Sequence, residues 1–258
     1  MKRILGFLFW LIWNILINLL SYTAAILLLI FSFFLTEKQG HILRKIVSIW
    51  AKVGMALAFS PVEVRGKENL AKDPVMVICN HQSTMDILTC VGYFPLDFLF
   101  FSKKEVFYFP VIGTLMKKMN YISVDRSNPK RAAMSLMRAI DKIKMNNRVL
   151  IYPEGSRNPD PRNLLSFKPG TLLLARRGKV PITPIIIYGT SKLWPVNKLL
   201  FMWPAKIVMT ILPAIYPGDP LHPSTAKSVA EEDEILEKLR VTLSKSYNTL
   251  ADELEDKT

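Results

Sequence analysis

An uncharged apolar stretch opens the chain, with no Asp, Glu, Lys or Arg between Ile4 and Thr36. A straight helix over these residues would be about 50 Å long, whereas the hydrocarbon core of a bilayer is about 30 Å thick. We therefore expect a bend near Ser21, Tyr22 and Thr23 and a re-entrant helical hairpin in one leaflet, with one true span as the alternative. Basic residues flank both ends of the stretch, which gives a single crossing no preferred orientation but fits a hairpin with both ends cytoplasmic.

A second apolar pattern follows with helical spacing over residues 42–57. Its apolar face consists of Leu43, Ile46, Val47, Trp50, Val53 and Leu57. Such a helix can lie in the membrane interface, or its apolar face can pack on the core of the following domain. Both interpretations stay open, and residues 1–59 are predicted to form a membrane anchor and an interfacial helix.

From Ser60 the pattern changes to short apolar runs that alternate with helical stretches. The predicted strands are residues 62–64, 75–79, 98–101, 121–124, 149–152, 182–188 and 206–211. The predicted helices are residues 83–91, 129–145, 170–177 and 224–254, the last of them rich in Glu and Lys. This alternation predicts an α/β domain over residues 60–258, with a central mixed sheet flanked by helices and a C-terminal helix.

Charge is distributed unevenly along the chain. The first 226 residues contain 29 basic and 12 acidic residues, a net charge of +17, whereas the remainder carries −4. A surface this basic indicates an anionic partner, either nucleic acid or acidic lipid headgroups. The apolar N-terminus and the mean hydropathy of +0.22 favour membrane lipids and argue against nucleic acid. The two cysteines, Cys79 and Cys90, have no metal-site or disulfide spacing, which is typical of a reducing compartment.

Of the three histidines, only His81 directly follows a predicted buried strand; His41 and His222 are expected at the surface. The carboxyl end of a strand is where α/β sheets place ligands and catalysis. Ser83 is a plausible helix N-cap with Asp86 three residues later, so the turn can bring His81 back over the first helical turn. Asp86 would then accept from one ring nitrogen, leaving the other as a base. The alternative is that Asp86 only caps its helix.

Three further clusters follow predicted strands or begin one. Arg126, after Asp125, offers a planar fork suited to phosphate or carboxylate, or pairs with Asp125 or Glu154 as a surface arginine. Gly155, after Pro153 and Glu154, indicates a sharp turn beside a ligand. Pro181 and Pro184 fix the backbone at the start of a strand. No nucleophile-elbow, P-loop, HExxH or GxGxxG motif is present, which argues against serine hydrolases, NTPases, zinc proteases and dinucleotide oxidoreductases.

Taken in order, these four clusters resemble the motifs of the glycerophospholipid acyltransferase family, and within it the enzymes that acylate 1-acylglycerol-3-phosphate. The resemblance covers residues 60–190, including family-like segments around Lys103 and Lys168. The second motif departs from the family pattern at Asn120 and Ser123, where Gly and Phe are usual.

The resemblance implies that His81, oriented by Asp86, deprotonates the 2-hydroxyl of lysophosphatidic acid, which attacks the thioester of acyl-CoA or an acyl carrier protein. It implies no acyl-enzyme, no metal and no cofactor. Localisation would be at a membrane, on its cytoplasmic face, and at the inner membrane in a bacterium. The implied substrate-binding residues are Arg126, Glu154, Gly155, Ser156, Arg157, Lys103, Lys168 and Pro184.

Three other functions stay open. The acceptor could be another lysophospholipid or glycerol-3-phosphate. The same His–Asp pair could act on water in a membrane-anchored lipid hydrolase. A protein without catalytic activity could use its basic region only to bind anionic lipid.

Overall fold

The computed structural model describes residues 2–71, 75–125, 127–168, 172–196 and 202–256. Seven strands form one mixed sheet in the order β1-β7-β6-β2-β5-β3-β4, and each lies where the sequence pattern predicts it. They are β1 (Val62–Arg65), β2 (Met76–Cys79), β3 (Leu99–Lys103), β4 (Ile122–Val124), β5 (Val149–Ile151), β6 (Ile182–Tyr188) and β7 (Ile207–Ile211).

The described residues also form eight α-helices, of which α4 and α7 are absent from the sequence prediction. They are α1 (Lys2–Ser32), α2 (Gly40–Leu57), α3 (Met85–Tyr93), α4 (Pro110–Lys118), α5 (Pro129–Lys144), α6 (Leu173–Gly178), α7 (Thr190–Leu193) and α8 (Val229–Glu255). The α/β class with helices flanking a central sheet is confirmed.

Strand direction brings several loops to one edge of the sheet. β2, β3, β4, β5 and β6 are mutually parallel, and β6 pairs with β7 in the antiparallel sense. The segments that follow these five strands therefore meet at one edge, here called the carboxyl edge. β2 lies between β5 and β6, so the loop after β2 has the loops after both neighbours beside it.

Each face of the sheet has its own apolar core, because successive strand side chains point to opposite faces. One face packs against α5, α6 and α8, and the other against α2 and α3. The C-terminal helix α8 buries a stripe that includes Leu239, Leu243 and Tyr247 and exposes its charged residues. It is therefore a packing helix with a solvated face, as its composition indicates.

The prediction of a bend near Ser21, Tyr22 and Thr23 is wrong, because α1 continues unbroken through these residues. The Thr23 hydroxyl donates to Leu19 O at 2.9 Å, so the polar side chain is satisfied inside the helix and does not interrupt it. The chain turns at residues 33–39 instead, and α2 returns along α1. Residues Gly6–Ser32 are long and apolar enough to cross a membrane, by length and composition.

Helix α2 packs on the domain through only part of its apolar surface. Leu43, Ala51 and Met55 are buried, and α2 makes its main contact with α3. Ile49 and Val53 stay exposed, at 63% and 50%. Packing on the core therefore accounts for one side of the helix, and contact of the exposed side with a membrane interface stays a prediction.

Candidate active site

His81 and Asp86 form a hydrogen-bonded pair in the loop between β2 and α3. The His81 Nδ1 atom lies 2.8 Å from Asp86 Oδ2, which confirms the predicted contact. Asp86 is fully buried, whereas the His81 side chain is 13% exposed. Donation from Nδ1 fixes the neutral tautomer that leaves Nε2 as an acceptor. Within the described residues Nε2 has no hydrogen-bond partner, so it is available to take a proton.

The Asp86 carboxylate also organises the turn that carries His81. Its Oδ2 atom accepts from the amides of Gln82 at 2.7 Å and Ser83 at 2.8 Å, while Ser83 Oγ accepts from the Met85 amide. Helix α3 begins at Met85 with Thr84 as its N-cap, whose side chain makes no capping bond, so the predicted N-cap at Ser83 is one residue too early. One oxygen of Asp86 therefore contacts both the His81 ring and the amides before α3, and the role of the pair in catalysis stays a prediction.

Glu154 holds the backbone of the site. Its two carboxylate oxygens accept from the amides of His81 and Leu165, each at 2.9 Å, and the side chain is 1% exposed. Burial raises the pKa of Glu154, against the opposing effect of these two amides. The residue thus links the loop after β2 to the loop after β5 from within the protein.

The three residues of the third motif that follow Glu154 lie beside this link. Gly155 has a φ of 73°, a left-handed conformation that confirms the predicted sharp turn. Ser156 and Arg157 are exposed, and Arg157 Nη1 donates to Thr84 Oγ1 at 2.8 Å. Arg157 therefore contacts the N-terminus of α3, one turn from His81.

The second motif is described only in part, because Arg126 lies outside the described residues. The preceding Asp125 forms an ion pair with Lys104 at 2.8 Å and accepts from the hydroxyl and amide of Ser127. The Lys104 ammonium and these Ser127 donors hold the pKa of Asp125 well below its usual range. The alternative that Arg126 pairs with Asp125 or Glu154 lies outside the described residues and stays a prediction.

The remaining predicted substrate residues differ in their surroundings. Lys103 ends β3 at the carboxyl edge, where its ammonium lies 3.8 Å from the Glu105 carboxylate. Lys168 is exposed, and its amide donates to Pro153 O, beside the third motif. Pro184 is buried inside β6 opposite Ile78, where its carbonyl accepts from the Leu212 amide. The structure thus places the two lysines at the surface of the carboxyl edge and Pro184 within the sheet.

Two residues beside the pair were not identified from the sequence. The Tyr152 ring stacks on His81 with centroids 4.0 Å apart and an interplanar angle of 15°, and its position before Pro153 could have suggested a role. Thr190 Oγ1 donates to Asp86 Oδ1. No local pattern indicates Thr190, which reaches the pair only because β6 lies beside β2.

The expectation that His222 is a surface residue is wrong. His222 is fully buried, with Nε2 3.0 Å from Val180 O and Nδ1 2.7 Å from Ser224 Oγ. Burial lowers the pKa of this histidine, which favours the neutral ring in which Nδ1 accepts from the Ser224 amide. Its role is to join the segment before β6 to the turn before α8. His41 is exposed, as expected.

Comparison with known proteins places this geometry in a family. Residues 61–188 match the family model described as Acyltransferase. A protein from Saccharomyces cerevisiae named 1-acyl-sn-glycerol-3-phosphate acyltransferase is 39% identical over 134 residues, 51% of this chain and 44% of its own length. Namesakes from Limnanthes alba and Bacillus subtilis are 36% and 30% identical, over 70% and 76% of this chain and 61% and 89% of their own lengths.

The fold has a counterpart of nearly the same size among solved structures. The crystal structure of the 1-acyl-sn-glycerophosphate (LPA) acyltransferase PlsC from Thermotoga maritima matches 97% of this chain and 98% of its own, with a TM-score of 0.74 and 27% identity. The chain spans only 44% and 61% of the lengths of the yeast and Limnanthes alba relatives. Because the match to the Bacillus subtilis relative covers most of both proteins, the chain belongs to the acyltransferase family.

Proposed function

We propose that the chain transfers an acyl group from an acyl thioester to the 2-hydroxyl of 1-acylglycerol-3-phosphate, which gives phosphatidic acid. The observation that carries the proposal is the His81–Asp86 pair, with a buried carboxylate on Nδ1 and Nε2 free of partners within the described residues. The names of the relatives support the acceptor, since each is called an acyltransferase for 1-acyl-sn-glycerol-3-phosphate.

The reaction needs a base and an oriented acceptor. His81 Nε2 takes the proton of the 2-hydroxyl as its oxygen forms a bond to the thioester carbonyl carbon, and Asp86 stabilises the resulting imidazolium. Collapse of the tetrahedral intermediate breaks the C–S bond, and the imidazolium returns its proton to the departing thiolate. Because a thiolate leaves readily, positioning of the two substrates and the base supplies most of the rate.

We assign recognition of the acceptor phosphate to Arg126, supported by basic residues at the carboxyl edge. Lys103, Arg157 and Lys168 belong to segments that meet there, and all three are exposed. Arg126 follows Asp125 directly, and Asp125 itself is neutralised by Lys104. An arginine side chain can bind a phosphate through two parallel hydrogen bonds.

We further propose that α1 lies in one leaflet of a membrane, with the catalytic domain on the cytoplasmic side. In its first half, α1 is bonded to α2 through Trp13 Nε1 and Leu57 O, at 3.0 Å, and to the domain through Asn14 Oδ1 and the Met202 amide, at 2.7 Å. Near its end, Leu28 and Leu29 pack against the cluster that contains Leu43 and Leu115. A helix held to the domain at both ends lies along it, so its exposed apolar side can enter the membrane without α1 crossing it.

An acceptor panel tests the proposed reaction. With a labelled acyl thioester, the purified protein should acylate lysophosphatidic acid in strong preference to a monoacylglycerol, which lacks the phosphate. Release of free fatty acid without any acceptor would favour the hydrolase instead. Equal rates with glycerol-3-phosphate or another lysophospholipid would contradict the assigned acceptor.

The same assay tests Arg126. Charged hydrogen bonds contribute about 1.5–3 kcal/mol each, so Arg126→Ala should raise KM for lysophosphatidic acid roughly ten- to a hundredfold and leave KM for the donor unchanged. The matched control is Arg177→Ala, an exposed arginine of α6 at the opposite edge of the sheet. Equal loss of rate on lysophosphatidic acid and monoacylglycerol would assign Arg126 to the structure or to the donor.

A further inference from the structure

Asn14 is a buried polar residue in an otherwise apolar helix. Over residues 6–32, where the side chains of α1 are described, only Asn14, Ile17 and Ser32 are buried, and Asn14 is 3% exposed. A polar side chain in an apolar environment is costly unless it is hydrogen-bonded, and in membrane-associated helices such residues mark functional contacts. The partners of Asn14 therefore indicate what it does.

The Asn14 amide binds the backbone of one residue in the segment that leads into β7. Asn14 Oδ1 accepts from the Met202 amide at 2.7 Å, and Nδ2 donates to Met202 O at 3.3 Å and to Trp10 O at 2.8 Å. The two bonds to Met202 use both the donor and the acceptor of the side chain. Asn14 is thus attached to a single peptide segment of the catalytic domain at two points.

Hydrogen bonds connect the segment around Met202 to α7, and connect α7 to the loop that contains His81 and Asp86. The Trp203 amide donates to Leu193 O at 2.9 Å, at the last residue of α7. The next residue, Trp194, accepts from Ser83 Oγ at 2.7 Å through its carbonyl. At the first residue of α7, Thr190 donates to Asp86. Both ends of α7 therefore have hydrogen bonds to the loop that contains His81 and Asp86. Its C-terminal end also bonds to Trp203, the residue after Met202.

We propose that Asn14 is a positioning residue that acts on the His81–Asp86 pair through Met202 and α7. Its two bonds to Met202 hold α7 in place, and α7 in turn holds Ser83 and Asp86. Attachment of α1 to the domain is thereby coupled to the geometry of catalysis. The proposal rests on the proposed acyl transfer, and it goes beyond it by giving the membrane helix a part in turnover.

Asn18 supplies a matched control one turn further along α1. Its amide donates to Asn14 O at 2.8 Å within the same helix, and no bond to the domain is present among the described residues. Leucine at either position removes one amide and adds a similar apolar surface. Asn14→Leu and Asn18→Leu therefore differ in whether the link to Met202 is lost.

The experiment uses the full chain bound to vesicles of phosphatidylcholine and phosphatidylglycerol. Asn14→Leu should lower kcat for acylation of lysophosphatidic acid roughly ten- to a hundredfold, because small displacements of catalytic groups have effects of that size. KM for both substrates and flotation with the vesicles should stay at wild-type values. Asn18→Leu should match the wild type in kcat, KM and flotation.

Hydrogen–deuterium exchange gives a readout that does not depend on activity. In Asn14→Leu the Met202 amide loses its acceptor, so a peptide that contains Met202 should exchange faster than in the wild type. A peptide that contains Gln82 and Ser83, whose amides donate to Asp86, should also exchange faster if α7 transmits the change. If the wild type transfers no acyl group, the proposed function fails and exchange alone decides whether the coupling exists.

Three results would overturn the proposal. An unchanged kcat in Asn14→Leu would show that the hydrogen bonds of Asn14 to Met202 have no effect on catalysis. Faster exchange at Met202 without any change at Gln82 and Ser83 would show that the link stops at α7. Loss of flotation or folding in Asn14→Leu would assign the residue to attachment of α1 and exclude the positioning role.

Discussion

At the scale of single residues, the site depends on the Asp86 carboxylate, whose two oxygens together accept four hydrogen bonds. Asp86 Oδ2 serves His81 and two backbone amides, and Oδ1 accepts from Thr190. The carboxylate cannot rotate without breaking several of these bonds, so the ring of His81 is held in one orientation. Thr190 is fully buried, and its hydroxyl is the donor to Asp86 Oδ1.

Substitution of Thr190 tests that arrangement. Thr190→Val keeps the shape of the side chain but leaves Asp86 Oδ1 without its donor, and hydrogen bonds to charged groups contribute about 1.5–3 kcal/mol. We expect kcat to fall roughly ten- to a hundredfold with KM little changed, whereas Thr190→Ser retains the hydroxyl and most of the rate. Steady-state kinetics on both variants checks this, and equal kcat values in the two would contradict it.

The part of the site that could be predicted is the part set by short-range geometry. His81 and Asp86 are five residues apart around a helix start, so a short turn can bring them together, and the resemblance to the acyltransferase motifs favoured that contact. Thr190 and Tyr152 come from other strands, and only the strand order places them beside His81. Strand order depends on packing of the whole sheet, which a local pattern does not contain.

At the scale of elements, strand patterns were more informative than helix boundaries. The buried strands are apolar runs in the sequence, whereas the bend expected near Ser21, Tyr22 and Thr23 of α1 came from the length of the apolar stretch and is absent. Asn18 and Thr23 donate to carbonyls four residues earlier, so they are compatible with a continuous helix. The short helix α7 was missed because four residues are too few to show a periodicity.

Cysteine labelling tests how α1 lies in the membrane. The native Cys79 and Cys90 are free and buried, so a background of labelling should be low. In sealed vesicles with the catalytic domain outside, Lys2→Cys and Lys38→Cys should both react with an impermeant maleimide, because both ends of α1 lie on the side of the domain. Labelling of Lys2→Cys only after permeabilisation, with Lys38→Cys labelled throughout, would show that α1 crosses the bilayer.

At the scale of the whole molecule, the acidic C-terminal helix neutralises part of the basic domain. Glu255 at the end of α8 accepts from Arg162 at 2.6 Å, Tyr188 at 2.9 Å and Lys192 at 3.2 Å. About two turns earlier in α8, the Tyr247 hydroxyl donates to Gln82 Oε1 at 3.1 Å, next to His81. The acidic end of the sequence thus pairs with basic residues of the domain through Glu255. Tyr247 separately bonds α8 to the loop that contains His81.

The Glu255 contacts predict a pH dependence of stability. The Arg162 guanidinium, Tyr188 and Lys192 lower the pKa of Glu255 from 4.5 to about 2. A carboxylate with a lowered folded-state pKa stabilises the fold above its unfolded pKa and loses that effect as the pH falls through the folded value. Glu255→Gln should therefore lower Tm at neutral pH, and its difference from the wild type should shrink between pH 4.5 and about 2.

Thermal unfolding over this pH range provides the measurement. Glu234→Gln is the control, because within the part of the chain that the structure describes Glu234 pairs with Lys238 alone, in an exposed pair on α8, and such pairs contribute little. A Tm difference between Glu255→Gln and the wild type that is the same at neutral and acid pH would contradict the assignment.

The central claim is that His81 is the base of acyl transfer, and its replacement tests the claim most directly. General base catalysis contributes about 10²–10⁴-fold, so kcat/KM of His81→Ala for acylation of lysophosphatidic acid should fall by roughly that factor. His41→Ala, which removes an exposed histidine, should keep the wild-type value. Folding and vesicle flotation should be unchanged in both variants. A folded His81→Ala protein that retains more than about a tenth of the wild-type kcat/KM would contradict the mechanism.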